Sequence, residues 1–263
     1  MTPESNPVAV PSEGTPTAEN LGYFSRLSGV YFSPSETFAG FKFDKTLFVP
    51  IILPIIIMMV IGAFSNYVVT ERIGYENILR QTLEPMKEAG WMNQEAYDKA
   101  MQQAANRTPV QKILGLISPF LGTGIVILVI AAIFQLFCMV MGVETRFKSL
   151  LSVTAYTFLA IGIINVVLLT IIVYLKNPDD IELYNPVGSN LGALMSLIAS
   201  GTPKFITALA SWIDIFGFWR IALLSIGYAA VSRKLKTSTA AIFLGALYAL
   251  MALAFSGFAS MMG

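Results

Sequence analysis

The chain has 263 residues, of which 55% are hydrophobic and 13% charged, and its net charge at neutral pH is +1. Soluble domains carry about 25% charged residues, so the composition excludes an ordinary water-soluble fold, and so balanced a charge offers no footprint for a nucleic acid. One cysteine excludes an intrachain disulfide, and the lack of histidine removes the commonest neutral metal ligand and proton shuttle.

Residues 1–20 are rich in Pro, Ser, Thr, Glu and Asn, which predicts a disordered tail. The first basic residue is Arg26, after Glu4, Glu13 and Glu19, so the basic n-region of a signal peptide is missing. Leu21, Phe24, Leu27 and Val30 then recur at helical spacing. The stretch "YFSPSETFAGFKF", 31–43, starts a second helix, with Ser33 as N-cap, Pro34 at the first helical position and Glu36 completing a capping box. Aromatic residues favour the polar–apolar boundary, so the two pieces over 21–45 are expected to be amphipathic interfacial helices. Phe32, Phe38 and Phe41 should then enter lipid, with Lys42 and Lys45 facing the cytoplasm. The alternative is a helical hairpin packed on the protein itself.

Stretches 46–70, 113–143, 149–175 and 237–263 contain no Asp, Glu, Lys or Arg, and 205–232 is apolar apart from Asp214 and Arg220. A bilayer crossing takes roughly 20 such residues. The expected fold is therefore all-α, a polytopic membrane protein with spans at about 47–69, 120–142, 151–175, 209–231 and 238–260. Pro50 and Pro54 should kink the first span near its entry. The polar insert 71–112 reads as two or three solvated helices, one of them capped by Asn93. The segment 187–203 is apolar but too short to cross, which suits an interfacial or re-entrant helix. Arg146 and Lys148 in one short loop, Arg233, Lys234 and Lys236 in another, and Lys42 and Lys45 all fall on one side. That side should be the cytoplasm, with the N-terminus inside and the C-terminus outside.

Polar residues at membrane depth are the functional candidates by default. Asp214 and Arg220 stand six apart, about 600° around a helix, and should not pair directly. Asp214 is expected to start its helix and Arg220 to bond to a neighbouring span. Gln135 and Asn165 suit helix–helix glue, worth roughly 0.6–2 kcal/mol. Ala241, Gly245 and Ala249 form one small-residue ridge on the last span, and Ala252, Ser256 and Ser260 another; either could serve a homo-oligomer or contact with another membrane protein. The alternative reading is a small transporter or channel with a polar path past Asp214, Arg220, Asn165 and Gln135. Cys-x-x-Cys, Walker and nucleotide-binding glycine motifs are absent, and aspartyl chemistry within the membrane needs two facing carboxylates. No catalytic, cofactor-binding or metal-binding residue is expected, hence no cofactor and no enzyme; Cys138 reads as a small packing residue.

The order of "FSPSETFAG", "NPVGSNLGAL" and "LASWIDIFGFWRIALLSIGYAAVSR" along five spans resembles bacterial members of the Yip (Ypt-interacting protein) domain family, over about residues 24–260. The resemblance implies a five-span protein with its N-terminus inside, here in a bacterial cytoplasmic membrane. It also implies a role in membrane organisation or trafficking-like processes, since eukaryotic members act in vesicle transport and contact Rab-type GTPases and one another. The Asp-Leu-Tyr-Gly-Pro motif of the eukaryotic cytosolic region does not occur in this N-terminus. "ELYNP" at 182–186 falls in the predicted outer loop. A Rab-type GTPase is therefore not carried over as a partner, and the family has no catalytic residue to transfer.

Overall fold

The computed structural model describes residues 22–42, 48–181, 187–198 and 201–261, apart from the side chains at 117–121, 179, 196–197 and 261. The tail, Lys45 and the "ELYNP" stretch lie outside these residues. The described chain is helical, with no strand. Among the described residues four segments are long and apolar enough to cross a membrane: Phe48–Ile73, Gly122–Val140, Phe147–Leu175 and Thr237–Ser260.

Helices α1 (Tyr23–Phe32) and α2 (Pro34–Gly40) form a tight pair. Pro34 takes the first position, but the capping box expected at Ser33 does not form. Ser33 has φ −144° and ψ 58° and makes no side-chain cap; its carbonyl accepts instead from Thr37 N, at 3.1 Å, and Thr37 Oγ1, at 2.9 Å. Gly29 is required beside it, because a Cβ there would strike Thr37.

Phe38 and Phe41 do not enter lipid. They are 0% and 2% exposed, within the main core, and the Phe41 ring lies 4.9 Å from that of Tyr156. A Cβ on Gly227 would strike Val153 and run into the Phe38 ring, so that glycine lets both side chains close on α10. Helical periodicity marks an apolar face without saying whether lipid or protein covers it; here protein does. Phe32, 85% exposed, and Phe24 remain on the outer surface. The pair is further tied down by Tyr31, whose hydroxyl donates to Ala160 O at 2.6 Å.

The kink expected from the two prolines is a π-helical turn, Phe48–Ile52, leading into α3 (Leu53–Ile73). Pro50 has no N–H to donate and its ring crowds the preceding turn, which widens the helix locally. In the insert, α4 (Tyr75–Glu88) and α5 (Gln94–Ala105) pack together, and Asn93 Oδ1 caps α5 by accepting from Ala96 N at 2.8 Å. The next helix, α6 (Pro109–Val140), starts in the insert and runs through the second span without a break. Thr108 and Gln111 form the capping box at its start, a signal the sequence reading passed over.

At the centre stands α7 (Phe147–Leu175), in contact with α1, α3, α6 and α10 (Ile215–Val231). Its N-terminal half is buried almost without interruption from Ser149 to Ile161. Small hydroxyl residues let neighbours approach and supply interhelical bonds: Thr154 Oγ1 lies 2.7 Å from the Tyr228 hydroxyl of α10. Cys138 is buried in the same core, as a packing residue.

The span expected at 209–231 is broken. A short amphipathic helix, α9 (Lys204–Ser211), ends at Trp212, and α10 starts afresh after Asp214 with only 17 residues. Ahead of it α8 (Leu191–Ile198) has eight residues, too few to cross, and packs against α9 as a helical hairpin. Gly192 permits that contact, since a Cβ would meet Ser211 and the carbonyl of Thr207. The last helix, α11 (Thr237–Met261), lies against α9 and α10.

Candidate functional site

The break before α10 builds a polar pocket. Trp212 ends α9 still in right-handed helical geometry, the chain then leaves the helix at Ile213 and Asp214, and the loop ahead of α8 pairs with it in a short antiparallel bridge between Asn190 and Asp214. Leu191 N donates to Ile213 O at 3.0 Å, and Ile215 N to Ser189 O at 3.4 Å. Asp214 holds the arrangement from both sides. Its Oδ2 accepts from Gly217 N at 2.8 Å, capping α10, and its Oδ1 accepts from Ser189 Oγ at 2.6 Å. Asn190 caps α8 in the same way, accepting from Ala193 N at 2.9 Å.

A cavity of about 400 Å³ lies between this junction, α7 and α11, lined by Asn165, Ser189, Asn190, Trp212, Asp214 and Tyr248 among others. The Tyr248 hydroxyl donates to Trp212 O at 2.7 Å, pinning the end of α9 to α11. Gly217 leaves room for that phenol, because a Cβ there would strike its oxygen. The indole of Trp212 lies edge-on to Tyr248, centroids 5.1 Å apart, and stacks with Phe255 at 5.9 Å.

Two of the four sequence candidates, Asp214 and Asn165, therefore share this cavity. Asn165 spends its Nδ2 on Ile161 O of its own helix, at 3.2 Å, rather than gluing two helices together. Gln135 lies elsewhere, its Oε1 accepting from Thr145 Oγ1 at 3.0 Å beside the 141–146 connection.

Arg220 departs from expectation. Among the described residues it makes no hydrogen bond to a neighbouring span; its guanidinium sits 4.9 Å over the Phe158 ring of α7, with Nε closed off from solvent and without a partner there. As expected it forms no ion pair with Asp214, although it lies within electrostatic reach of Asp214 and Tyr248.

Ser189, Asn190, Trp212 and Tyr248 were not singled out as site residues by the sequence. Asn190 had a signal, an Asn directly before an apolar helix. Tyr248 had none, since one tyrosine within an apolar run reads as packing.

No His, Cys, Asp or Glu cluster suited to a metal occurs among the described residues. Two further cavities lie in the insert, the larger of about 770 Å³. They meet at Arg107, which stacks 3.7 Å over Tyr75 and donates to Gln111 O at 2.7 Å.

A family model described as the Yip1 domain matches residues 28–258. No curated protein and no solved structure matches.

Proposed function

The chain belongs to the Yip1 domain family, and from that membership we propose a non-enzymatic, multi-pass protein that organises a membrane through helix–helix and lipid contacts. The observation that carries this reading is how the polar groups at membrane depth are used. Asp214 caps a helix and holds a loop, Gln135 holds Thr145, Asn165 bonds to its own helix, and Arg220 stacks on Phe158. These are local pairings, and Gln135 does not join the cavity shared by Asn165 and Asp214. A permeation path needs polar groups in a continuous series.

The cell membrane is the proposed location, with the N-terminus and the loops bearing Arg146 and Arg233 in the cytoplasm. Homo-oligomers or other membrane proteins are the proposed partners, alongside lipid.

The second reading, a small transporter, is favoured by the cavity itself, since it places a carboxylate and an amide together at membrane depth. Reconstituted vesicles separate the two. Under the organiser reading, ions and small solutes leak no faster than from empty vesicles, and Arg220→Gln changes nothing. A reproducible flux that depends on Arg220 would falsify the organiser reading.

A further inference from the structure

The cavity beside the broken span holds a chemistry that its own contacts leave unused. Asp214 is the one formally charged residue among the described residues of its wall. Ser189 and Gly217 each donate to one of its oxygens, which occupies two of about four lone-pair sites on a carboxylate. Asn165 commits its Nδ2 to Ile161 O, and no donor among the described residues reaches its Oδ1. Trp212 and Tyr248 supply aromatic walls. A carboxylate, an amide oxygen and aromatic rings, with no cation in the wall, suit an organic ammonium group. Acceptors at both Asp214 and Asn165 favour a primary ammonium, which donates hydrogen bonds, over a quaternary one. Val166, Leu169 and Val187 complete the wall, leaving too few oxygens for a bare metal ion.

The counter-charge lies outside the cavity wall but within electrostatic reach of two of its residues, since Arg220 interacts with Asp214 and Tyr248. A guanidinium at membrane depth costs at least roughly 2.5 kcal/mol unless paired or solvated, and among the described residues Arg220 has an aromatic ring and no hydrogen-bond acceptor at Nε. Its planar fork matches phosphate oxygens. Depth agrees as well. The 17 residues of α10 rise about 26 Å, slightly less than the roughly 30 Å of hydrocarbon. Asp214, at the end away from Arg233, therefore sits at the boundary where lipid head groups lie.

We propose that this cavity binds the head group of a phospholipid bearing a primary ammonium, with Asp214, Trp212 and Tyr248 on the ammonium and Arg220 on the phosphate. The assignment rests on the reading of the chain as a lipid-contacting organiser.

The test uses the full-length protein, reconstituted in vesicles with equal amounts of phosphatidylethanolamine and phosphatidylglycerol, then extracted mildly and weighed with its retained lipids by native mass spectrometry. The wild type should retain phosphatidylethanolamine in at least ~5-fold excess, which corresponds to about 1 kcal/mol. Asp214→Asn, which keeps the cap but removes the charge, should bring the ratio to parity. Asn165→Leu should do the same by filling the cavity from α7, without touching the α10 cap. Arg220→Gln should lower retention of both lipids.

Parity in the wild type overturns the proposal, as does an undiminished preference in folded Asn165→Leu protein. Binding of soluble phosphoethanolamine without enrichment of the lipid overturns it too, by assigning the cavity to a soluble solute. Flux measured on the same vesicles separates the two readings. Arg220-dependent flux sinks the organiser reading, whereas lack of enrichment without flux sinks only the head-group assignment.

Discussion

Asp214 and Arg220 share one helix yet carry opposite structural roles. Asp214 joins two elements through two short bonds, and removing an N-cap side chain costs about 1 kcal/mol. Asp214→Ala should therefore lower the melting temperature in detergent, and Asp214→Asn, which can still accept from Gly217 N, should recover most of the loss. Equal losses in both variants would mean that the charge, and not the cap, holds the junction. Arg220 is the reverse case. With no bond to give up and a desolvation cost to relieve, Arg220→Met should leave the delipidated protein as stable as wild type, or more so. A melting temperature lowered by this change would reveal a partner for the guanidinium that the packing does not show. The sequence could place both residues at membrane depth and predict that Asp214 begins a helix. It could not give Arg220 its neighbour, because Phe158 is brought opposite only by the packing of α7 on α10.

Helices were the legible level of this chain, and their partners were not. Charge-free runs and the spacing of Leu21, Phe24, Leu27 and Val30 located the helical segments, since the bilayer and the helical period both leave a direct mark on composition. Two features left a weaker one. The break at 212–214 occurs without Gly or Pro, so only the capping preference of Asp214 hinted that one predicted span would be a short helix and a truncated one. The inward turn of α2 depends on Gly227, nearly two hundred residues away, which no local pattern connects to Phe38. That contact is testable. Phe38→Ala should destabilise by about 3 kcal/mol, the cost of emptying a buried aromatic site, and Gly227→Val should release α2 by crowding the Phe38 ring. Limited proteolysis should then cut between residues 33 and 45 in both variants while sparing the wild type; resistance in both would mean that α2 is held chiefly by α1. The hairpin of α8 and α9 makes a separate prediction. In a Cys138→Ala background, Lys176→Cys and Lys204→Cys should react with an impermeant thiol reagent from one face, and Lys236→Cys only from the other. Reaction of Lys204→Cys together with Lys236→Cys would make 187–203 a crossing segment.

Across the whole molecule, topology follows from how charge and length divide the chain. Arg146 and Lys148 stand at the start of α7, and Arg233, Lys234 and Lys236 between α10 and α11. Arg233 pairs with Glu144 at 3.3 Å, its backbone N–H also donating to Glu144 O at 3.2 Å, so the two loops meet on one face. The pair is exposed on both sides and adds little stability; its value is as a marker that the two basic loops lie together. In the proposed topology, positive charge is retained on the cytoplasmic side, and α4 and α5 then lie on the opposite face. Four segments have the length and hydropathy to cross, and α10, at 17 residues, reaches the lower limit of roughly 17–25 for a spanning helix. If α10 crosses, the count is odd and the termini lie on opposite sides. Reporter fusions ahead of Met1 and after Gly263 should then give opposite signals, cytoplasmic at the first and extracytoplasmic at the second. The same signal at both ends would require an even count. Because Arg233 meets Glu144 on one face, one crossing must lie between Leu175 and Arg233; the labelling of Lys204→Cys decides whether α10 or the 187–203 segment supplies it, and an even count would have to arise at α3 or α11.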